Sequence, residues 1–360
     1  MDLATIQAGG GGLLGDVARA ALAAIAAPLR FVARRRLAAY DAGRRTPERL
    51  PVRVVCVGNL TAGGTGKTPF VAWLARRALA AGRRPAVLSR GYGARPPGST
   101  LSDEGLVLRA LLGDAVPLHE DPDRVRGGRT LLASHPEIDL VLLDDGFQHR
   151  RLARDVDVVL LDATNPFGYG HGLPRGLLRE PVEGLGRAHA VVVTRAERAS
   201  PADLAALDAR VAALAPRALV ARARTVPRAL VRAADGVETP PGSLEGAAVF
   251  AWAGIGNPRA FEALLADLGA RVVGRRFDRD HRAIGPGDVA AVARASRAAG
   301  ASLVVVTRKD LVKLSALAPL PGEIVALDVE LEVGPGADEL AALALGLGAA
   351  PPLSSTTRRP

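Results

Sequence analysis

The chain has one cysteine, Cys56, in 360 residues. No internal disulfide and no zinc site built on several thiolates can form. A lone cysteine in a strand-like stretch reads as core packing, and its solitude fits a reducing, cytosol-facing compartment. Aromatic residues are scarce as well, at 3%. The basic residues are therefore not interleaved with the stacking groups that single-stranded nucleic acid is bound by. The formal charge of +10 then points to a different acidic partner, an anionic lipid surface or a phosphorylated substrate. There is no run of about 18 unbroken apolar residues, so no transmembrane helix is expected. No internal repeat occurs. Alanine, arginine and glycine dominate what remains, so single residues of those types carry little information.

The N-terminal stretch from Leu13 to Tyr40 is apolar but interrupted by Asp16, Arg19, Pro28 and Arg30, then by Arg34-Arg35-Arg36. A secretory signal carries its charges before the apolar run, whereas here the main cluster follows it. The layout suits an amphipathic helix lying in a membrane interface, each basic residue adding about 1 kcal/mol near anionic lipid. The alternative is an alanine-rich helix packed on its own domain.

Val54 to Val57 is an apolar strand that runs into Gly58-Asn59-Leu60-Thr61-Ala62-Gly63-Gly64-Thr65-Gly66-Lys67-Thr68-Pro69. Strand, glycine-rich loop and Gly-Lys-Thr opening a helix form the layout of a nucleotide phosphate cradle. Small residues let backbone N–H groups curl around phosphates, and the helix start adds its positive dipole end. Thr61 to Thr68 are the candidate binding residues. Lys67 is placed to reach the β- and γ-phosphates and Thr68 to ligate Mg²⁺. The usual loop has glycine where Thr61 stands, so Gly63 and Gly64 must supply the turn. Further on, an apolar strand ends in Asp144-Asp145-Gly146-Phe147-Gln148-His149. Downstream of a phosphate loop, one of these carboxylates is expected to hold Mg²⁺ directly or through water. The other reading is that the acids cap the next helix.

Apolar strands at 50–57, 84–89, 138–143, 156–161 and 190–194 alternate with helical segments at 70–81, 106–112, 123–134 and 201–214. This predicts a P-loop-like, doubly wound parallel α/β sheet. A polar, turn-rich stretch follows at 226–242. A second, smaller α/β unit comes next, with strands at 247–252, 271–277 and 302–307 and helices at 258–268 and 286–299. The expected organisation is an N-terminal interfacial helix (1–45), a phosphate-loop kinase domain (46–225), a linker (226–242), a C-terminal α/β domain (243–350) and a disordered tail (351–360).

The motifs together resemble the tetraacyldisaccharide 4′-kinase (lipid A 4′-kinase) family. Its Val-Gly-Asn-Leu-Thr-Ala-Gly-Gly-x-Gly-Lys-Thr-Pro stands at Val57 to Pro69, which also accounts for Thr61. Its Ser-Arg-Gly-Tyr-Gly stands at Ser89 to Gly93, and its Asp-Asp-Gly-Phe-Gln-His-x-Arg-Leu-Ala-Arg-Asp at Asp144 to Asp155. The Leu-Pro-x-Gly-x-x-Arg-Glu segment runs from Leu173 to Glu180, Ala-Gly-Ile-Gly-x-Pro from Ala253 to Pro258, and an Asp-His pair is Asp280-His281. Thr307-Arg308-Lys309-Asp310 resembles the family's Thr-Glu-Lys-Asp. The blocks keep family order over nearly the whole chain.

The resemblance implies transfer of the γ-phosphoryl group of ATP, with Mg²⁺, to the 4′-hydroxyl of a tetraacylated glucosamine disaccharide 1-phosphate. This forms the 4′-phosphate of lipid A at the cytoplasmic face of the bacterial inner membrane. It implies Asp103 as catalytic carboxylate, paired with His281, and Lys67 acting in catalysis. The family's Gly-Asp-Glu-Pro is here Ser102-Asp103-Glu104-Gly105, and Asp114 is the competing aspartate. Asn59, Arg90, Tyr92, Arg124, Gln148, Arg179 and Glu180 are implied substrate candidates. His149 is either a phosphate or sugar contact or a structural donor.

Two other readings stand beside this one. A guanine-specific phosphate-loop GTPase or metal-insertion chaperone needs Asn/Thr-Lys-x-Asp after a strand. In Thr307-Arg308-Lys309-Asp310 the lysine is one place off. A non-catalytic lipid-binding scaffold has no need of Gly66-Lys67-Thr68 or of Asp144-Asp145.

Overall fold

The computed structural model describes residues 3–347 apart from 93, 94, 96–98, 281, 318, 319 and 322. The expected tail at 351–360 and His281 therefore lie outside the described residues. The short helix α1 (Leu3–Gln7) and the 30-residue α2 (Gly12–Asp41) precede the sheet. A phosphate-loop half follows: β1 (Arg53–Asn59), α3 (Lys67–Ala80), β2 (Pro85–Ser89), α4 (Asp103–Leu112), β3 (Leu118–Glu120), α5 (Arg124–Ser134), β4 (Leu140–Asp144), β5 (Val156–Asp162), β6 (Ala190–Thr194) and α6 (Pro201–Leu214). Strands β1, β4, β5 and β6 are buried almost throughout. Their near-continuous Val/Leu runs are what a parallel sheet covered on both faces demands.

Strand β7 (Leu219–Arg232) carries the chain into a second half. That half comprises β8 (Glu238–Thr239), β9 (Ala248–Ala253), α7 (Pro258–Asp267), β10 (Arg271–Phe277), α8 (Pro286–Ala298), β11 (Leu303–Thr307), α9 (Arg308–Ser315), β12 (Ile324–Val333) and α10 (Ala337–Leu345). Among the described residues the strands form one twelve-stranded sheet in the order β10-β9-β11-β12-β7-β6-β5-β1-β4-β2-β3, with β8 on β7.

Strand β7 corrects the expected linker. Residues 226–232 are its second half, and 238–239 are β8. The first part of β7 pairs parallel with β6, through Val193↔Arg222. The rest pairs antiparallel with β12, from Ala223↔Val333 to Arg232↔Val325. The carboxyl ends of β6 and of β12 therefore meet head to head at Arg222–Ala223. Ligands in open α/β sheets bind beyond the carboxyl ends of the strands, and here two such edges face one another.

The C-terminal boundary also moves. Leu331 of β12 and Leu340, Ala341, Ala344 and Leu345 of α10 are packed into the core of the phosphate-loop half, with Val55, Phe70 and Leu74. Arg53 of β1 donates from Nε to Ala344 O at 2.8 Å and from Nη2 to Leu343 O at 2.9 Å, closing the end of α10. The region 243–350 is thus not a unit apart. It returns to the first half before it ends.

Among the described residues no helix is long and apolar enough to cross a membrane. Helix α2 is tethered near its two ends. Gln7 Nε2 donates to Pro174 O at 2.8 Å, and Arg19 Nη1 donates to Gly10 O at 2.7 Å, fixing the α1–α2 turn. At the far end Arg150 lies over the Tyr40 ring and donates to Leu37 O at 3.1 Å. Between these tethers Leu13, Leu14, Val17, Ile25, Phe31 and Val32 face solvent, Leu13 at 80% exposure.

Candidate active site

The site is built at the carboxyl edge of β1 and β4, which are parallel neighbours paired through Val57↔Asp144. Their following loops therefore emerge side by side. The approach is close because Gly58 has no side chain. A Cβ there would lie 2.5 Å from Phe147 Cβ.

The phosphate loop turns at Gly63 (φ +109°) and at Gly66 (φ +85°), the residue that caps α3. Both conformations are open to glycine and strained for other residues. Thr61, where the commoner loop has glycine, is 5% exposed and pairs with Leu178. Ala62 N donates to Leu177 O at 2.7 Å and Arg179 N to Leu60 O at 2.8 Å. The segment 171–180 thus zips onto the loop, and of the two glycines expected to supply the turn Gly63 takes the positive φ and Gly64 does not. The last residue of β6 and the one that follows it complete the brace. Thr194 Oγ1 donates to Thr65 O at 2.9 Å, and Arg195 Nη2 donates to Gly64 O at 2.7 Å. Arg195 also holds Asp162 and sits at φ +53°. The sequence reading missed it.

The two acids at the end of β4 differ sharply. Asp145 adopts φ +50°, a left-handed conformation that costs a non-glycine residue roughly 1–2 kcal/mol. Both of its oxygens accept from Arg179 Nη1 at 2.7 Å, and Lys67 Nζ lies 3.4 Å from Oδ1. Burial opposes its charge, but Lys67 and Arg179 outweigh that and hold its pKa down to about 2. Asp144 is 3% exposed, and its Oδ1 has no hydrogen-bond partner among the described residues. Burial, reinforced by Glu104 and Asp145, pushes its pKa up to about 7. A buried, unpartnered carboxylate oxygen beside a phosphate cradle is the donor that a hard cation such as Mg²⁺ takes.

Asp103 begins α4 and is fully buried. Lys309 Nζ lies 3.6 Å from its Oδ2, 3.9 Å from Glu104 and 2.8 Å from Asp280. Lys313 Nζ lies 3.7 Å from both Asp103 and Asp310. Both lysines belong to α9 of the second half. Burial disfavours the charge on Lys309, but Asp103 and Asp280 overcome it and raise its pKa. The chain has three lysines among its 47 cationic residues, Lys67, Lys309 and Lys313. All three face the carboxylates of this site, an arrangement the sequence signalled only by their rarity. Asp114, by contrast, is exposed in a 3-10 turn and pairs with Arg109. The second half also touches the loop itself: a Cβ on Gly256 would lie 3.5 Å from Gly64 N.

The remaining candidates divide. Asn59, Gln148 and Glu180, expected to face the substrate, form a brace behind the loop. Asn59 Nδ2 donates to Thr61 O at 2.7 Å, Gln148 Nε2 donates to Asn59 O at 2.8 Å and to Glu180 at 2.9 Å, and Arg187 donates to Glu180 at 2.7 Å. Asn59 and Glu180 are buried. Arg124 is 2% exposed, and its charge is disfavoured first by burial and then by Arg90. Its Nε has no partner among the described residues, so an anion would relieve it. Tyr92 is 66% exposed, and His149 is half-buried after the acidic turn. A cavity of about 340 Å³ opens between Arg34 of α2 and the segment Gly170–Glu183, with Arg179 and Glu180 on its wall.

Residues 18–345 match the family model described as tetraacyldisaccharide-1-P 4′-kinase. The tetraacyldisaccharide 4′-kinase of Anaeromyxobacter sp. (strain K) is 41% identical, the alignment covering 97% of this chain and 96% of that one. The enzyme of the same name from Azotobacter vinelandii (strain DJ) is 41% identical over 87% of this chain and 90% of its own. Among solved structures, the "apo" form of LpxK from Aquifex aeolicus in complex with ATP superposes with a TM-score of 0.68. It shares 27% identity, over 90% of this chain and 98% of that one.

Proposed function

The chain belongs to the tetraacyldisaccharide-1-P 4′-kinase family, and from that premise we propose how its own residues act. It is a kinase that transfers the γ-phosphoryl group of ATP to the 4′-hydroxyl of a tetraacylated glucosamine disaccharide 1-phosphate, in lipid A synthesis. The observation that carries the reading is the convergence of the phosphate loop with Lys67, the Asp144–Asp145 turn and Asp103 at one edge.

The backbone N–H groups from Gly63 to Thr68 hold the phosphates, the Ala62 N–H being spent on Leu177 O, and Lys67 turns from Asp145 towards the β- and γ-phosphates. Asp145 keeps Lys67 and Arg179 aimed at the reacting centre. Asp144 and the Thr68 hydroxyl would hold Mg²⁺, which offsets charge on the phosphoryl oxygens when bound. The 4′-oxygen forms its bond to the γ-phosphorus as the bond from that phosphorus to the β,γ-bridging oxygen breaks. The hydroxyl proton passes to the Asp103 carboxylate, and ADP leaves. Arg90 and Arg124 receive the anionic groups, with Tyr92 and His149 at the sugar. His281 is assigned beside Asp103 on the family motif alone.

The lipid substrate stays in its bilayer, so the enzyme must meet it there. The apolar residues of α2 with Arg34 and Arg35 support a peripheral attachment to the cytoplasmic face of the inner membrane. The GTPase alternative loses ground, because Lys309 lies among carboxylates and Asp310 accepts from Gly254 N at 3.1 Å. Neither is available to a guanine base.

Mass spectrometry of a reaction containing ATP, Mg²⁺ and the disaccharide 1-phosphate in vesicles tests the reading. The expected product carries one additional phosphate at the 4′ position. Phosphorylation with GTP alone, or none at all, would overturn it.

A further inference from the structure

Asp103 is the second residue of a hydrogen-bonded device that begins one residue earlier. Ser102 caps α4, its Oγ accepting from Gly105 N at 3.2 Å. The same hydroxyl donates to Glu120 Oε1 at 2.6 Å, and Ser102 N donates to Glu120 Oε2 at 2.9 Å. Glu120 ends β3, and its side chain is 3% exposed. One buried carboxylate thus grips the residue before Asp103 by main chain and side chain together. Bonds to a charged acceptor are about twice as strong as neutral ones. Ser89 Oγ at 3.5 Å and Arg95 Nη2 at 3.6 Å also approach Glu120.

Two glycines make room for it. A Cβ on Gly105 would lie 2.4 Å from Glu120 Oε1, and one on Gly91 would lie 2.8 Å from Oε2. The resembled motif is Gly-Asp-Glu-Pro, and this chain departs from it at just the two flanking places. Those departures depend on each other. A proline at 105 has no N–H for the Ser102 hydroxyl to accept from, and its ring would fill the space that Glu120 occupies. A glycine at 102 would leave Glu120 without its hydroxyl donor.

We propose that Ser102 and Glu120 are positioning residues for Asp103: a buried serine–carboxylate clamp fixes the start of α4 here, in place of the motif's glycine and proline. This rests on Asp103 being the carboxylate that receives the 4′-hydroxyl proton. Both clamp residues lie outside the phosphate loop, at the start of α4 and the end of β3. Loss of the clamp shifts Asp103 relative to the hydroxyl, so kcat falls while the KM for ATP is kept.

The test compares Ser102→Ala, Glu120→Gln, Gly105→Pro, Asp103→Asn and the triple exchange Ser102→Gly/Gly105→Pro/Glu120→Ala, each with a thermal melt. Misplacing a reacting group by a fraction of an ångström to an ångström costs roughly ten- to a hundredfold in rate. Ser102→Ala and Glu120→Gln are expected in that range, with the KM for ATP within about twofold. Gly105→Pro is expected to be the poorest of the clamp variants. The triple exchange, which restores the motif's glycine and proline and removes the carboxylate that the proline ring would strike, is expected to recover most of the lost kcat. Wild-type kcat in both Ser102→Ala and Glu120→Gln beside an inactive Asp103→Asn would overturn the clamp alone. So would a triple variant no better than Gly105→Pro. A fully active Asp103→Asn would instead overturn the reading of Asp103, and the clamp's role with it. If Gly105→Pro fails to fold, the two single substitutions still decide.

Discussion

Asp144 and Asp145 share a peptide bond but not an environment. Asp145 is tied to Lys67 and Arg179, whereas Asp144 Oδ1 is buried without a partner among the described residues. The folded-state pKa of Asp144, about 7, lies above the ordinary 3.8. Folding therefore favours its protonated form. The associated stability is full below about pH 4 and is lost as the pH rises through 7. Asp144→Asn keeps the shape and removes that titration. In EDTA at pH 8 the variant should melt about 2 °C or more above the parent, with the gap narrowing below pH 7 and closing near pH 4. Adding Mg²⁺ with ATP should stabilise the parent more than the variant, which keeps the loop and Lys67 but loses the carboxylate that holds the metal. A variant that never exceeds the parent would show that Asp144 has a partner in the metal-free protein. Lys67→Ala should lower kcat by on the order of 10²-fold or more, with unchanged far-ultraviolet circular dichroism. Near-normal turnover would remove Lys67 from the mechanism. These side chains were legible in the sequence because phosphate cradles and acidic strand ends are short, contiguous patterns. Lys309, Lys313 and Glu120 were not, since their meaning comes from contacts across the fold.

Secondary structure was legible where one element obeys one rule. The buried Val/Leu strands β1, β4, β5 and β6 stand where the apolar runs placed them. Strand β7 did not read as a strand, because Arg222, Arg224, Arg228 and Arg232 alternate along it and Pro227 interrupts it. In the structure those arginines pair with Asp208, Glu332, Asp328 and Asp235. Pro227 sits beside the register shift at Asp328/Val329, where a residue without N–H is tolerated. Helix α2 carries the element-scale prediction. Leu13, Leu14, Val17 and Phe31 are exposed, so Leu13→Ser, Leu14→Ser, Val17→Ser and Phe31→Ser together should leave the melting temperature nearly unchanged. Each apolar side chain withdrawn from lipid forfeits roughly 1.5–3 kcal/mol of burial. Co-sedimentation with anionic vesicles should therefore fall steeply, and activity on vesicle-embedded substrate with it. High salt should weaken the parent's binding only in part, because apolar insertion is not screened. Undiminished vesicle binding by the fourfold variant would assign the attachment to another surface.

At the scale of the molecule, the two halves meet head to head at Arg222–Ala223 of β7 and are then laced together twice. The first lacing is electrostatic: Lys309 and Lys313 of the second half face Asp103 of the first. The second is apolar: Leu340 and Leu345 of α10 lie in the core with Val55 and Leu74. The expected division into separate domains at 226–242 makes a different prediction from this interleaved arrangement, and stability decides between them. Removing a buried leucine costs about 2–5 kcal/mol, while a whole domain is stable by only about 5–15 kcal/mol. Leu340→Ala and Leu345→Ala together should therefore threaten the phosphate-loop half itself, although both residues lie far beyond its expected end. The double variant should lose ATP binding and melt earlier in one cooperative step. Hydrogen exchange should quicken in β1 and α3 as much as in α10, because the shared core fails as a unit. Independent domains would behave otherwise. The phosphate-loop half would keep its own melting transition, its exchange protection and its affinity for ATP, and a fragment ending at residue 242 would fold. Such an outcome would mean that α10 merely rests on the first half.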